Sequence, residues 1–291
     1  MKYRDRTGRE YIRTTSQDSF LDAAYKSIPG RALMRFISLP VFSKCAHFLL
    51  SSKLSVPFIF DFAQKNHIDM FDYEDRMYTS FNDFFIRKIK PGRRFITKDD
   101  RKLICPSDGK VSAYEIADSD TFIIKNSVYT VESLLRDKKL ADRFCGGYAV
   151  IIRLTPDNYH RYVYPANGVK SHDREIKGSL HTVNTVINNY IPVYKENTRN
   201  YCLIRTEKFG DIIQMEVGAM MVGRITNAHP YGRRTVYRGE EKGYFEFGGS
   251  TIVLLLEKDK VELSEDLLKN TREGFETELL QGAIIGESRN Y

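Results

Sequence analysis

A glycine and a serine stand directly before a long apolar run near the C-terminal end of the chain. Gly249 and Ser250 precede residues 251–256, which are Thr-Ile-Val-Leu-Leu-Leu. Glycine offers no side chain that would obstruct attack by a neighbouring hydroxyl, and its backbone reaches conformations that other residues avoid. The Ser250 hydroxyl can therefore attack the Gly249 carbonyl in an N→O acyl shift, and β-elimination followed by hydrolysis would leave a pyruvoyl group. Alone, the dipeptide is more typical of a tight turn that enters a buried strand.

This reaction needs a base for the serine hydroxyl, and the usual arrangement is a histidine oriented by a carboxylate. Of the six histidines, His160 follows the predicted strand 148–154, in a loop that can present its side chain. Asp108, which precedes Gly109, is the candidate carboxylate. Each has an alternative interpretation: His160 as a surface or structural histidine, and the Asp-Gly pair as a hairpin turn.

Five segments, taken in chain order, resemble the phosphatidylserine decarboxylase family. They are residues 80–91, 106–111, 159–161 with Pro165 and Gly168, 217–223, and 242–251. The resemblance extends from about Tyr73 to the C-terminus. It implies that Asp108, a histidine and Ser250 form a self-processing constellation, and that the chain is cut between Gly249 and Ser250.

The implied enzyme converts phosphatidylserine to phosphatidylethanolamine and CO2 through a Schiff base to a pyruvoyl group made from Ser250. That covalent group would be the cofactor, with neither pyridoxal phosphate nor a metal. Family members commonly carry a second histidine three positions after the first, but here residue 163 is valine. Either His160 covers both roles or another histidine substitutes. His181 is the auxiliary candidate, and a structural role explains it equally well.

The composition predicts an ordered globular protein with a basic surface. The 291 residues include 42% hydrophobic and 12% aromatic residues, with a formal net charge of +7. This charge indicates an acidic partner, and because no nucleic-acid-binding module is recognisable, an anionic phospholipid surface is favoured over nucleic acid. The four cysteines are scattered without a C-x-x-C pair, so neither a zinc site nor a disulfide framework is predicted.

The apolar periodicity predicts helices between residues 16 and 90, broken at prolines, and then mostly short strands. The expected fold class is α+β, with a mostly antiparallel β body, barrel- or sandwich-like, and an N-terminal helical appendage. We expect a helical, membrane-apposed region over residues 1–90 and a catalytic domain over residues 91–291.

The cut would divide the chain into a large subunit, residues 1–249, and a small pyruvoyl-bearing subunit, residues 250–291. The two subunits should stay associated because residues 251–257 are predicted to form a core strand. A homodimer is compatible with the sequence, which does not determine the oligomeric state.

The most apolar early stretch, residues 41–62, is interrupted by charges and by Pro57, so no transmembrane span is predicted. Basic and apolar residues alternate over residues 31–50, a pattern that suits an anionic interface and a helix packed on its own core equally. The basic run between Arg87 and Lys102 is interpreted as a headgroup-facing patch or an ordinary solvated face. The expected location is peripheral, on the cytoplasmic side of the cell membrane.

Two other functions compete with the leading one. An uncleaved lipid-binding pseudoenzyme of the same fold would follow if Val163 has removed a needed histidine. A pyruvoyl decarboxylase for a soluble amino acid is the other alternative, which the basic amphipathic N-terminal region disfavours.

Overall fold

The structure, a computed structural model, describes residues 1–12, 16–219 and 224–289, without the side chains of residues 16–18 and 40. Helices are concentrated in the first third of the chain. In chain order they are α1 (Ser16–Lys26), α2 (Ile28–Ile37), α3 (Pro40–Leu50), α4 (Phe58–Lys65), α5 (Phe81–Phe85), α6 (Val131–Leu135), α7 (Lys138–Ala141), α8 (Val193–Glu196) and α9 (Glu265–Arg272). Single 3-10 turns cover Lys53–Ser55, Met70–Asp72, Asp142–Phe144 and Thr185–Asn189.

The N-terminal helices are separated near the prolines, as predicted, and each proline lies at the start of the following helix or just before it. Pro29 is the second residue of α2, Pro40 is the first of α3, and Pro57 is the residue before α4. Proline lacks an N–H, but the first helical turn has no internal partner for that donor, so proline is tolerated there. Ser80 caps α5 by accepting a hydrogen bond from the backbone N–H of Asp83 at 3.1 Å, as the sequence pattern predicted.

The other regular elements of the described chain are strands. They are β1 (Lys2–Arg4), β2 (Glu10–Ile12), β3 (Lys102–Ile104), β4 (Gly109–Glu115), β5 (Thr121–Ile124), β6 (Ser127–Thr130), β7 (Tyr148–Leu154), β8 (Arg161–Val163), β9 (Gly168–Lys170), β10 (Arg174–Ile176), β11 (Arg199–Arg205), β12 (Asp211–Gly218), β13 (Ile225–Asn227), β14 (Arg234–Val236), β15 (Glu241–Phe245), β16 (Ser250–Leu256), β17 (Val261–Leu263), β18 (Glu276–Leu279) and β19 (Ile284–Ser288).

The largest sheet runs in the order β14-β9-β11-β12-β16-β7-β4-β18-β1-β2, and β10 also pairs with β11. Two smaller sheets have the orders β13-β15-β8 and β17-β19-β3, and β5 pairs with β6. Strands β7 and β16 are buried along almost their whole length, which fits their central place and their uninterrupted apolar sequences. The core therefore surrounds the strand that begins at Ser250.

The α+β class and the mostly antiparallel pairing are confirmed. Only β1 and β18 pair in parallel among the named strands of the described chain. The largest sheet does not close into a barrel within the described residues, because β14 lies at one end of its order and β2 at the other. Part of the predicted strand over residues 220–225 and of the motif 217–223 lies outside the described residues.

The region before residue 90 is not wholly helical. Strands β1 and β2 form a hairpin, and Tyr3 of β1 pairs with Glu276 of β18 in the largest sheet. Short, strongly charged strands of this kind lack the apolar alternation by which strands are recognised in a sequence. The division into an N-terminal region and a catalytic domain at about residue 90 stays a prediction.

No single helix among those described is long and apolar enough to span a bilayer. The pair Ile28–Ile37 and Val41–Leu50 reaches the required length and composition only when taken together, across a bend of 55°.

Candidate active site

Three strand ends bring the predicted site residues to one end of the largest sheet. Strand β4 begins at Gly109, directly after Asp108, and β16 begins at Ser250. Between them, β7 ends at Leu154, which pairs with Ser250, while Arg153 pairs with Lys110. Neighbouring strands lie roughly 4.8 Å apart, so the backbones at Gly109 and Ser250 are separated by roughly 10 Å.

Ser250 is fully buried at the entrance to the central strand. It pairs with Leu154 on one side and with Gly218 of β12 on the other. Its hydroxyl oxygen has no hydrogen-bond partner among the described residues. A buried polar atom without a partner costs about 1–3 kcal/mol, and such atoms are concentrated where a protein does chemistry.

The turn before Ser250 takes its unusual backbone conformation at Gly248 rather than at Gly249. Gly248 has φ +139°, a value that favours glycine. A Cβ atom added to Gly249 would lie 3.4 Å from the nearest Val183 carbon, which is an ordinary contact. The turn is held from outside by α5, because Asn82 Oδ1 accepts a hydrogen bond from the Phe247 N–H at 3.0 Å.

His160 is a buried imidazole with one nitrogen hydrogen-bonded and one nitrogen without a hydrogen-bond partner in the described structure. Its Nδ1 lies 2.9 Å from the carbonyl oxygen of Asn158, and its Nε2 has no partner there. A carbonyl can only accept, so Nδ1 carries the proton and Nε2 is the basic nitrogen of the neutral ring. Burial, followed by the charge of Arg87, lowers the pKa of His160 to about 3, which keeps the imidazole neutral at physiological pH.

Aromatic packing connects His160 to the turn before Ser250. The His160 and Phe85 ring centroids are 4.1 Å apart, and those of Phe85 and Phe247 are 5.0 Å apart. The Phe245 N–H also donates to the carbonyl oxygen of His160 at 3.0 Å. The loop that holds His160 is therefore fixed against the segment that leads to Ser250.

The carboxylate of Asp108 is bound by an arginine. Arg94 donates two hydrogen bonds to it, Nε to Oδ1 at 2.9 Å and Nη2 to Oδ2 at 2.6 Å, and the Gln281 N–H donates to Oδ1 at 2.8 Å. Two parallel bonds from one guanidinium form a strong, directional pair. Asp108 thus lies at the same end of the sheet as Ser250, but its described contacts go to Arg94 and Gln281 and none goes to His160.

His181 lies at the junction with the N-terminal helices. Its Nδ1 is 3.1 Å from Ser38 Oγ and 3.3 Å from the Tyr25 hydroxyl, and its Nε2 is 3.8 Å from a carboxylate oxygen of Glu196. Burial, followed by the charge of Arg35, lowers the pKa of His181. In the same segment Val183, not His181, makes the close approach to Gly249.

Comparisons with known proteins agree on one family. The family model described as "Phosphatidylserine decarboxylase" matches residues 81–277. The chain belongs to the phosphatidylserine decarboxylase family. It is 42% identical to "Phosphatidylserine decarboxylase proenzyme 2" of Clostridium acetobutylicum over 281 residues, which are 96% of each protein.

Two further phosphatidylserine decarboxylase relatives support this membership. A phosphatidylserine decarboxylase proenzyme of Ruminiclostridium cellulolyticum is 37% identical, over 98% of this chain and 96% of the relative. One of Fusobacterium nucleatum is 40% identical, over 79% of this chain and 77% of the relative. The resemblance that the sequence motifs indicated is therefore confirmed as family membership.

Several residues of this candidate site were not identified from the sequence. Arg87 and Arg94 belong to the basic run interpreted as a surface patch, yet Arg87 is fully buried and the Arg94 side chain is only 10% exposed. Gln281 was also missed, although its Nε2 donates to the carbonyl oxygens of Pro106 and Arg161, both at 3.1 Å. The partner of a buried arginine depends on tertiary contacts, so spacing in the sequence carries little signal for it.

At residue 163 the structure has an apolar side chain within strand β8. The Val163 N–H donates to the Pro106 carbonyl at 2.9 Å, and its own carbonyl accepts from Gln214 Nε2 at 3.1 Å. Val163 thus lies next to the segment that contains Asp108. Within the described ranges, no group of three or more His, Cys, Asp or Glu residues could hold a metal ion.

Proposed function

We propose that this chain is a self-processing phosphatidylserine decarboxylase in which Ser250 becomes a pyruvoyl group. The observation that carries the proposal is the fully buried Ser250 hydroxyl, without a described partner, at the first residue of the central strand and after a Gly-Gly turn. Membership of a family whose relatives are named proenzymes supports it. The geometry around His160 suggests how the reaction begins.

Self-processing would start with transfer of the Ser250 hydroxyl proton to a base. His160 suits this role better than His181, because its Nε2 is unprotonated and has no hydrogen-bond partner in the described chain, while both His181 nitrogens have polar neighbours. The Ser250 oxygen bonds to the Gly249 carbonyl carbon as the peptide C–N bond breaks and the nitrogen takes up a proton. This exchange produces an ester and a free amine.

The second stage removes the ester. Loss of the Ser250 Cα proton and cleavage of its Cβ–Oγ bond release the carboxylate of Gly249 and leave dehydroalanine. Water then replaces the nitrogen, which leaves as ammonia, so that the new N-terminal residue ends in a pyruvoyl carbonyl. These steps convert serine to a pyruvoyl group without an oxidant, a metal or pyridoxal phosphate.

The residues present fit such a group at position 250. The converted residue would remain at the start of β16, held by β7 and β12, at a position that is fully buried from bulk water. Once formed, the pyruvoyl group supplies a carbonyl that accepts the electrons released when CO2 leaves the headgroup of phosphatidylserine.

Strand order supports lasting association of the two subunits. The small subunit would contribute β16 between β12 and β7, β18 between β4 and β1, and β19 between β17 and β3. Separating the subunits would require hydrogen bonds in two sheets to break together. The mature enzyme would therefore remain a complex of residues 1–249 and 250–291.

We also propose that the enzyme binds the cytoplasmic side of an anionic membrane through its N-terminal helices. Large apolar side chains on the helices and turn of residues 28–60 face outward: Ile28 (76% exposed), Phe48 (75%) and Leu54 (85%). Exposed arginines and lysines accompany them, including Arg31 and Lys44. A combined apolar and basic surface fits the interface of an anionic bilayer.

Intact-mass spectrometry under denaturing conditions tests the processing step. The wild-type chain should give two fragments, one ending at Gly249 and one beginning with a pyruvoyl group in place of Ser250. Ser250→Ala should give one uncut chain without decarboxylase activity. Thr251→Val, which removes the neighbouring buried hydroxyl, should still be cut. An active Ser250→Ala protein would refute the pyruvoyl mechanism.

One observation favours the second candidate, the uncleaved lipid-binding pseudoenzyme. The Asp108 carboxylate is bound by Arg94, and residue 163 is a valine, so it has no imidazole that a carboxylate could orient. A single wild-type chain of 33.8 kDa that still binds anionic vesicles would support this alternative.

A further inference from the structure

Arg87 is a buried cation without a carboxylate partner among the described residues. It follows α5 and is fully buried, with its guanidinium carbon 4.4 Å from the Tyr73 ring centroid and 4.9 Å from that of Phe84. Its Nε has no hydrogen-bond partner there. Burying a charge without an opposite charge is unfavourable, so such a residue requires an explanation beyond packing.

The polar contacts of Arg87 lead to His160. Its Nη2 lies 3.4 Å from the carbonyl oxygen of Asp157 and 3.4 Å from that of Asn158, and 3.3 Å from the Tyr73 hydroxyl. The Asn158 carbonyl is the same acceptor to which His160 Nδ1 donates. One carbonyl oxygen is thus shared by the guanidinium and the imidazole.

We propose that Arg87 is a positioning residue that holds the Asn158 carbonyl against His160 Nδ1 and so keeps Nε2 as the basic nitrogen of a neutral ring. The role of Arg87 in catalysis rests on the proposed function, but the assignment of the His160 proton to Nδ1 does not. Phe85 contributes from the same element, because its ring packs on the imidazole two residues before Arg87. The short segment 85–87 therefore supplies both the surface on which the ring lies and the charge beside it.

The charges around the imidazole agree with this role. The charged groups that act on His160 in the described structure are Arg87, from the end of α5, and Asp157, from its own loop. The cation disfavours a protonated ring, whereas Asp157 and the Asn158 carbonyl favour it. Removing Arg87 should therefore raise the pKa of His160.

Histidine-labelled nitrogen NMR of the Ser250→Ala protein tests the proposal without using activity. With Arg87 present, His160 should carry its proton on Nδ1 and remain neutral down to about pH 4. Arg87→Met should raise its titration midpoint by at least one pH unit and mix the two tautomers. Methionine suits the space between two aromatic rings, and replacing a buried charge with an apolar side chain is often tolerated. His160→Gln identifies the signal.

Two further variants sharpen the test. Lys88→Met removes the adjacent, exposed cation and should leave the midpoint and the tautomer unchanged. Arg87→Lys keeps the charge but loses the fork of donors, so its midpoint should stay below that of Arg87→Met while its tautomers mix. Arg87→Lys also allows the His160 tautomer to be measured if Arg87→Met does not fold. An unchanged His160 midpoint and tautomer in the folded Arg87 variants would overturn the proposal.

A second readout uses the protein with Ser250 in place. The acidic limb of the pH profile for self-cleavage should move to higher pH in Arg87→Met, by the same amount as the NMR midpoint. Processing that keeps the wild-type pH profile despite a shifted midpoint would overturn the positioning role. An uncut wild-type chain would instead contradict the proposed function. The NMR result alone would then test whether Arg87 sets the tautomer and the pKa of His160.

Discussion

Two buried atoms without described partners, Ser250 Oγ and His160 Nε2, are the residue-scale basis of the proposed chemistry. Each would be more stable with a hydrogen bond, by about 1–3 kcal/mol. One can lose a proton and the other can accept it. Phe85 packs on His160 and on Phe247, three residues before Ser250, so both atoms belong to one packed region.

The pKa of His160 predicts a loss of stability in acid. Its folded-state pKa of about 3 lies below the ordinary value of 6.5, so between these values the unfolded chain binds the proton that the folded chain excludes. The free energy of unfolding should fall by about 1.4 kcal/mol for each pH unit below 6.5. Urea titrations of Ser250→Ala at pH 7 to 4 measure this slope.

A matched pair of variants isolates the contribution of His160. His160→Gln in the same background should flatten the slope, whereas His172→Gln, which changes an exposed histidine, should not. An unaltered slope in His160→Gln would mean that other groups cause the acid sensitivity.

The Asp108–Arg94 pair predicts matching phenotypes for its two members. If Asp108 acts by holding Arg94, Asp108→Asn and Arg94→Met should both leave mostly uncut chain, because each breaks the same mostly buried, bidentate pair. Mass spectrometry of freshly purified protein measures the uncut fraction. Arg76→Met is the control. It removes the arginine that pairs with Asp83, which is more exposed than Arg94, and the variant should be processed normally. Normal processing of Arg94→Met beside an uncut Asp108→Asn would give Asp108 a direct role instead.

Sequence reasoning located the proposed reactive residues better than it described their surroundings. Ser250 and His160 could be found because they occupy recognisable motifs. The unusual backbone conformation was expected at Gly249 and is found at Gly248. The sequence of a glycine pair does not show which of the two residues takes the positive φ. Arg94 was interpreted as part of a basic surface because its partner, Asp108, is 14 residues away and meets it only after folding.

At the scale of elements, a buried ion pair connects the largest sheet to a smaller one. Lys242 of β15 lies 2.6 Å from Glu216 of β12, and both side chains are almost completely inaccessible. Asn227 of β13 donates to Glu216 at 3.3 Å. Burial raises the pKa of Glu216 to about 7, and the charge of Lys242 opposes that shift. The pair fixes β15, which leads to Ser250, against β12.

Removing one member of this pair should destabilise the protein strongly. Lys242→Met leaves Glu216 buried without its cation and should lower the free energy of unfolding by about 3–5 kcal/mol. Adding Glu216→Gln should restore at least half of the loss, since the amide is neutral and can still accept from Asn227. Urea unfolding in the Ser250→Ala background measures both.

An exposed ion pair is the control for this experiment. Lys258→Met removes the partner of Asp118 at the surface and should change stability by less than about 1 kcal/mol. A similarly small effect of Lys242→Met would show that β15 is held by its backbone pairing alone.

Element prediction succeeded where one physical signal dominated. Strand β7 has the predicted bounds, residues 148–154, because an apolar run lies between glycines and a proline. The hairpin of β1 and β2 was missed because its residues are mostly polar and its stability depends on β18, more than 260 residues later. Such a long-range pairing is invisible to local periodicity.

At the scale of the whole molecule, the outward-facing apolar residues are unevenly distributed. About half of the large ones in the described chain lie on α2, α3, α4 and the turn between the latter two. Ile123 and Val128, on the β5–β6 hairpin, form a second, smaller exposed pair. The contrast between these two surfaces allows membrane binding to be tested with matched variants.

Vesicle flotation should distinguish the two surfaces. Phe48→Ser with Leu54→Ser should reduce binding to vesicles of phosphatidylserine and phosphatidylcholine by about 100-fold or more, because about 1.5–3 kcal/mol of apolar burial is lost per side chain and 1.4 kcal/mol is a factor of about ten. Ile123→Ser with Val128→Ser should bind as wild type does. Higher salt should weaken binding through the basic residues. Equal losses in both double variants would argue against docking by the N-terminal helices.

Strands from residues 250–291 pair with strands from the rest of the chain, so cleavage would change how the protein can refold. Before the cut, unfolding and refolding concern a single chain and do not depend on dilution. After it, the same sheets could be rebuilt only by an encounter of two polypeptides, each with unpaired strand edges that invite aggregation. Cleavage would thus make folding a one-time event: the mature enzyme would persist through the slowness of its unfolding, and a molecule that once came apart would be lost.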